Sequence, residues 1–137
     1  MSIRLEGLDE VLESLNNLAD EEKMQQALNK ACLLVEGSAK KKAPKGETGA
    51  LARSITSKVE GNTGIVFTPL EYAPYVEFGT GLYAEEGGRK DVPWSYEDDK
   101  GEWHTTSGQH PQPFMRPALN ENRDKIIKIF KEEVSND

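Results

Sequence analysis

The stretch EEKMQQALNKACLLVEGSAKKKAP, residues Glu21 to Pro44, decides the fold because it predicts one long helix. Its apolar side chains recur at steps of three and four residues, which places them in a single stripe along the helix. Acidic residues lead the helix and Lys40 to Lys42 close it, so the charges at both ends complement the helix dipole. With Asp20 as its cap and Pro44 as its stop, the helix spans about 24 residues, or ~36 Å.

Strands and helices are predicted on both sides of this helix. Ser2 to Glu6 alternates polar and apolar residues and predicts a short strand, and the spacing from Leu8 to Leu18 predicts an amphipathic helix. Ile55 to Phe67 predicts a β-hairpin that turns at Gly61 to Gly64. A last helix is expected to start near Pro117. Its apolar face consists of Leu119, Ile126, Ile127, Phe130 and Val134. Together these elements predict an α+β fold.

The segment from Tyr72 to Phe78 fits two structures equally well. Its aromatic and apolar residues suit a strand, whereas Pro74 suits the first turn of a short helix. Glu77 sets a carboxylate among apolar neighbours, where burial is costly unless the group is paired or hydrogen-bonded. An exposed residue at the edge of the sheet is the alternative for Glu77.

Gly79 to His110 is rich in glycine and shows neither a helical nor a strand period. Trp94 and Trp103 flank a turn signal within it, which indicates an extended hairpin arm with its tip at Asp99 to Gly101. We therefore expect a single domain, residues 1–137, that carries a flexible loop or arm at about residues 80–110.

Composition excludes several classes of function. The chain has 137 residues, 36% of them hydrophobic and 30% charged, which fits one folded domain better than a disordered chain. The formal net charge of −7 argues against a protein that coats duplex DNA, because phosphate binding needs clustered Lys and Arg. Apolar runs are far shorter than the ~20 residues that span a bilayer. We expect no membrane segment, no signal peptide and no specific nucleic-acid binding.

Few side chains offer chemistry. Cys32, the only cysteine, lies in the apolar stripe of the long helix, which favours a packed and inert thiol. His104 and His110 share a loop with Glu97, Asp98 and Asp99, but their spacing matches no established metal motif. Lys40 to Lys45 complements the end of the long helix, or alternatively contacts phosphate or an acidic partner. We predict no catalytic residues, no metal ligands and no cofactor.

Three segments, taken in order, carry a resemblance to a known family. The first runs from Ala43-Pro44 through Thr48-Gly49-x-Leu51 to Ser54-Ile55. The second runs from Tyr72-Ala73 to Gly79-Thr80, and the third holds Pro113-Phe114 with Pro117-Ala118-Leu119. In this order the segments resemble the small tail-completion and head-tail joining proteins of long-tailed double-stranded DNA bacteriophages and prophages, often labelled minor tail components.

The resemblance implies a small antiparallel sheet packed against the long helix and the C-terminal helix. It also implies a virion protein without enzymatic activity, assembled in the bacterial cytoplasm as a ring of six copies between the tail tube and the head connector. An acidic ring around a DNA channel would repel the passing genome. The side chains expected to contact sister copies or adjoining virion proteins are Tyr72, Tyr75, Glu77, Phe78, Trp94, Trp103 and Phe114.

Two other functions stay open at this point. One is a small metal-dependent hydrolase that uses His104, His110 and the nearby carboxylates. The other is a host-directed adaptor that binds a bacterial protein through the same loop. The adaptor would be monomeric and absent from phage particles, whereas the hydrolase would lose bound metal when both histidines are replaced.

Overall fold

The structure, a computed structural model, describes residues 1–5, 21–46, 48–85, 88, 91–98 and 100–135. Its elements in chain order are β1 (Ser2–Arg4), α1 (Glu21–Lys42), α2 (Ala50–Ser54), β2 (Thr56–Glu60), β3 (Thr63–Phe67), α3 (Ala73–Phe78), β4 (Thr80–Gly81), β5 (Trp94–Glu97), β6 (Trp103–Thr106), β7 (Gly108–Gln109), α4 (Met115–Asn120) and α5 (Arg123–Ser135). Helices and small antiparallel sheets confirm the predicted α+β class. None of the helices in these described ranges is long and apolar enough to cross a membrane.

The contacts divide the chain into two units. The first, which we call the body, comprises Met1–Leu70 and Phe114–Asp137. The second, which we call the aromatic unit, comprises Glu71–Pro113. The body contains the long helix, the three-stranded sheet and the C-terminal helices, and the aromatic unit contains α3 and the two short two-stranded sheets.

Helix α1 confirms the prediction made from its sequence, with 22 residues and a basic last turn. Its buried stripe supplies much of the core of the body, because small and medium apolar side chains repeat on one face. The stripe consists of Met24, Ala27, Leu28, Ala31, Cys32, Val35 and Ala39. The predicted helix from Leu8 to Leu18 and the predicted cap Asp20 lie outside the described residues.

The sheet of the body has the strand order β1-β3-β2, with both pairs antiparallel. Ile3 and Ser57 both pair with Val66 of the central strand, so the predicted first strand and the predicted hairpin are confirmed. Gly61 lies in the turn with a φ of 58°, a conformation that few residues other than glycine adopt.

Helix α1 and the sheet approach each other closely at Gly64. A Cβ atom at this position would lie 2.5 Å from the Cys32 Sγ atom and 3.0 Å from a methyl group of Leu5. Cys32 also contacts the Lys58 carbonyl oxygen, with Sγ 3.8 Å away. Burial raises the pKa of the Cys32 thiol, so the thiolate needed for reactivity is disfavoured. This cysteine is a packing residue, as its place in the apolar stripe predicts.

A short helix, α2, occupies the segment that carries the Thr48-Gly49-x-Leu51 pattern, just before β2. The Thr48 hydroxyl accepts a hydrogen bond from the Ala50 amide at 3.3 Å, and Gly49 takes a φ of 66°. At the other end, the Ser54 hydroxyl contacts the Leu51 carbonyl at 2.6 Å and the Thr68 hydroxyl at 2.7 Å. These bonds give the Thr48-Gly49-x-Leu51 pattern a physical role, which is to start β2 at a fixed place.

The C-terminal region differs from its prediction, because one expected helix is two. Helix α4 begins at Met115, before Pro117, and α5 begins at Arg123. The break follows from Asn122, whose side-chain amide donates to the Ala118 carbonyl at 2.7 Å. In a continuous helix the backbone amide of Asn122 would donate to the Ala118 carbonyl oxygen. Here that amide donates to the Leu119 carbonyl oxygen instead. On the predicted apolar face, Ile126 and Phe130 are fully buried.

Candidate assembly surface

Large hydrophobic side chains that face solvent are concentrated in the aromatic unit. Within the described ranges, Leu33 is the one such side chain that belongs to the body. The others are Tyr72, Tyr75, Phe78, Leu82, Tyr83, Tyr96 and Trp103, with exposed fractions from 38% for Tyr83 to 69% for Trp103. Because exposed apolar and aromatic groups in such number are typical of protein-binding surfaces, the aromatic unit is the candidate site.

Helix α3 resolves the ambiguity of the Tyr72 to Phe78 segment in favour of a helix. Pro74 lies in its first turn, where the missing amide costs no hydrogen bond. Tyr75 and Phe78 are three residues apart, so they are neighbours on the helix surface, and both are exposed. Gly79 ends the helix with a φ of 82°.

Glu77 on α3 is completely buried, so the exposed alternative is wrong for this residue. No buried side-chain nitrogen or oxygen atom in the described residues lacks a hydrogen-bond partner, which includes the Glu77 carboxylate. A buried and satisfied carboxylate fixes the orientation of its helix. Glu77 therefore serves to position the exposed side chains of α3, and it offers no surface of its own in this chain.

The predicted hairpin arm is present as β5 and β6. In its register, Tyr96 pairs with His104 and Glu97 pairs with Trp103. Since directly opposed residues point to the same side, the hairpin has two different faces. On one face the Tyr96 and His104 rings stack, with their centroids 5.4 Å apart. The other face presents the exposed Trp103 ring beside the Glu97 carboxylate.

Trp94 anchors the hairpin within the aromatic unit. A Cβ atom on Gly81 would lie 2.7 Å from the Trp94 ring, so the ring covers this glycine. Gly81 belongs to the short pairing of β4 with β7, in which it opposes Gly108. Beside this pairing, Tyr83 and His110 stack with their ring centroids 3.8 Å apart. Trp94 is half-buried as a result, and it holds the hairpin in place.

A cluster of Asp98, Glu102 and His104 lies at the tip of the hairpin, with ligand atoms within 4.8 Å of one another. The turn itself accounts for this arrangement. One oxygen of Asp98 accepts the amides of Lys100 and Glu102, both at 2.9 Å, and the other contacts the His104 Nε2 atom at 2.7 Å. The bond to His104, followed by the Glu102 amide, lowers the pKa of the Asp98 carboxyl group. His110 is stacked on Tyr83 and has no part in the cluster.

The seven side chains singled out from the sequence divide into two groups. Tyr72, Tyr75, Phe78 and Trp103 are exposed, as a contact surface requires. Phe114 is fully buried and belongs to the body, and Glu77 and Trp94 support the aromatic unit from within. Their part in subunit contacts stays a prediction.

Sequence reasoning missed the exposed Leu82, Tyr83 and Tyr96. For Tyr96 the available signal was its alternation with Glu97 in the strand before the turn, which places it on the face opposite Trp103. Leu82 and Tyr83 follow a glycine-rich stretch without any period, so no sequence signal identified them.

The aromatic unit also accounts for most of the net negative charge of the chain. Its sequence contains three basic and nine acidic residues, for a formal charge of −6 out of −7 in the whole chain. Exposed aromatic rings therefore lie in an acidic setting. Such a surface favours a partner that combines apolar area with positive charge.

Comparison with known proteins gives one family. Residues 8–79, more than half of the chain, match the model of the HK97-gp10-like family, which is named for protein gp10 of bacteriophage HK97, a candidate tail component. The matched part contains α1, the β2–β3 hairpin and α3, and it confirms the resemblance seen in the sequence. No curated protein and no solved structure gives a significant match to the chain.

Proposed function

We propose, since this chain belongs to the HK97-gp10-like family of bacteriophage tail components, that it completes the tail or joins the tail to the head connector. In this role it acts by binding other protein subunits. The exposed side chains of the aromatic unit carry the proposal, because a virion subunit needs surfaces that are completed by its neighbours.

The finer features of the proposal are a ring of six copies, assembled in the cytoplasm of the bacterial host, with connector or tail-tube proteins on either side. The charge of the aromatic unit supports a place near the path of the DNA, because repeated negative charge repels the phosphate backbone. Acidic side chains that line the channel would let the DNA pass without binding to it.

Electron microscopy of particles assembled without the chain tests the joining role. The expected result is separate filled heads and tails, and restoring the intact gene should restore joined particles. Normal infectious particles made in the absence of the chain would contradict the proposal. Mass spectrometry of purified virions distinguishes this role from that of a host-directed adaptor, since an adaptor would be missing from the virions.

A further inference from the structure

A groove on the body lies between α1 and the start of α5. It has a volume of about 460 Å³, and Leu33, Leu34 and Gly37 of α1 provide its apolar part. Leu33 is 62% exposed. Among the described residues of the body, it is the one large hydrophobic side chain that faces solvent. Lys41 and Lys125 also line the groove. The groove thus combines apolar area with positive charge.

Gly37 keeps this groove open at a cost to the helix. A glycine inside a helix is about 0.5–1 kcal/mol less favourable than alanine. No atom of the described residues lies within 4 Å of the place where a Cβ atom at Gly37 would be, so packing among these residues does not require the glycine. The missing side chain is explained if another molecule occupies the space above α1.

The charges around the groove are mostly positive. Lys41 and Lys125 are exposed, and neither forms an ion pair within the described residues. The acidic residue of the lining, Glu121, is already paired with Lys42. An occupant with a carboxylate next to an apolar group would therefore match the groove.

The Trp103 face of the hairpin has these properties. Trp103 is the most exposed of the large hydrophobic side chains described, and Glu97 lies directly across from it on the same face. The surrounding aromatic unit has a formal charge of −6. Its acidic and aromatic character complements the basic and apolar groove.

We propose that the Trp103 face of the hairpin of one copy docks into the α1–α5 groove of a second copy of the same chain. Trp103 covers Leu33 and Gly37, and Glu97 approaches Lys41 or Lys125. This inference rests on the proposed function, because it names how one subunit recognises the next. The hairpin and the groove are different surfaces of the chain, so the contact between two copies is heterologous, which is the kind of interface that generates rings.

Cross-linking of a mixture of isotope-labelled and unlabelled chains tests the docking directly. A reagent that joins a carboxylate to a contacting amine is applied to the free chain at its highest soluble concentration and to isolated tails. We expect peptides that link Glu97 of one isotope to Lys41 or Lys125 of the other.

Two matched pairs of variants sharpen the test. Gly37→Trp fills the groove and should lower the yield of mixed-isotope links about tenfold or more, the effect of losing about 1.4 kcal/mol of binding. Gly37→Ala adds only a methyl group and should keep the links. Trp103→Ala should lower the yield to a similar degree, whereas Tyr96→Ala alters the opposite face of the hairpin and should leave it unchanged.

Links found only within one isotope would show that the hairpin contacts its own chain, and they would overturn the proposal. The absence of links in isolated tails would overturn it as well. If the chain is still present in those tails and still needed for joining, the docking has failed while the proposed function stands.

Discussion

The body and the aromatic unit use the same kinds of side chain for opposite purposes. In the body, Phe114 and Phe130 are fully buried, and a stripe of small apolar residues fits α1 against the sheet. In the aromatic unit, Tyr75 and Trp103 project into solvent from a helix of six residues and a strand of four. Burial drives the folding of the first, while turns, glycines and a buried carboxylate shape the second.

This contrast indicates where function lies in the chain. Apolar area left exposed lowers solubility and gives no stability to the free chain, so its presence is explained by a bound partner. The body then supplies the stable core together with the α1–α5 groove, and the aromatic unit supplies the exposed rings that bind a partner. Substitutions in the two regions should accordingly change different measurements.

Phe114→Ala should have the largest effect on stability. Removal of a buried phenylalanine leaves a cavity and should lower the free energy of unfolding by about 3–5 kcal/mol. The matched control is Trp103→Ala, which should change it by no more than about 0.5 kcal/mol, since that ring is 69% exposed. Urea unfolding measures both. Equal losses for the two variants would abolish the distinction between body and aromatic unit.

Glu77→Ala should lower the free energy of unfolding by about 1.5–3 kcal/mol, because it removes a fully buried carboxylate together with its hydrogen bonds. Glu77→Gln keeps the size of the side chain and one accepting oxygen, so it should lower the free energy of unfolding by less. Thermal unfolding followed by circular dichroism compares the variants. A stability unchanged by Glu77→Ala would mean that this group has no role in holding α3.

Gly64→Ala should lower the free energy of unfolding by about 1–3 kcal/mol, since the methyl group of the alanine would overlap the Cys32 Sγ atom. Adding Cys32→Ala removes that sulfur atom, and the double variant should be more stable than the sum of the two single losses predicts. A double-mutant cycle of unfolding free energies gives the coupling between the sites. Strict additivity would contradict the close approach of α1 to β3.

The smallest expected effect is a change at the hairpin tip when Asp98 is protonated. Because the pKa of Asp98 is lowered in the folded chain, the ionised carboxylate stabilises the folded hairpin tip at pH values above the ordinary carboxyl range. This stabilisation is lost as the pH falls through the lowered pKa. The part of the pH-dependent movement of the Lys100 and Glu102 amide resonances that comes from Asp98 should therefore lie below the ordinary carboxyl range. Asp98→Asn is the control and should remove this titration. Movement confined to neutral pH would contradict the assignment to Asp98.

Much of the body was predictable because its signals are local and periodic. The 3.6-residue period gave α1, and two apolar runs around a glycine turn gave the β2–β3 hairpin. The break at Asn122 was not predictable, because an asparagine inside an apolar helical pattern gives no sign that its side chain will take the Ala118 carbonyl. Helix α2 depends in the same way on hydrogen bonds of Thr48 and Ser54.

The candidate surface was predictable only in part. Two tryptophans around a turn signal indicated the hairpin, but they did not show that Trp94 would cover Gly81 while Trp103 faced solvent. Phe114 has the same composition cues as the exposed aromatics and is buried. Which ring is covered depends on contacts between distant segments, and neither period nor composition encodes these contacts.

The central claim is that the exposed aromatic side chains bring this chain into the phage tail. Its most direct test replaces Tyr75 and Trp103 by serine and measures the amount of the chain in purified virions by quantitative mass spectrometry, next to its folded state in solution. The account predicts a chain that folds normally but is strongly depleted from particles, with heads and tails left unjoined. Normal incorporation of the folded double variant would contradict it.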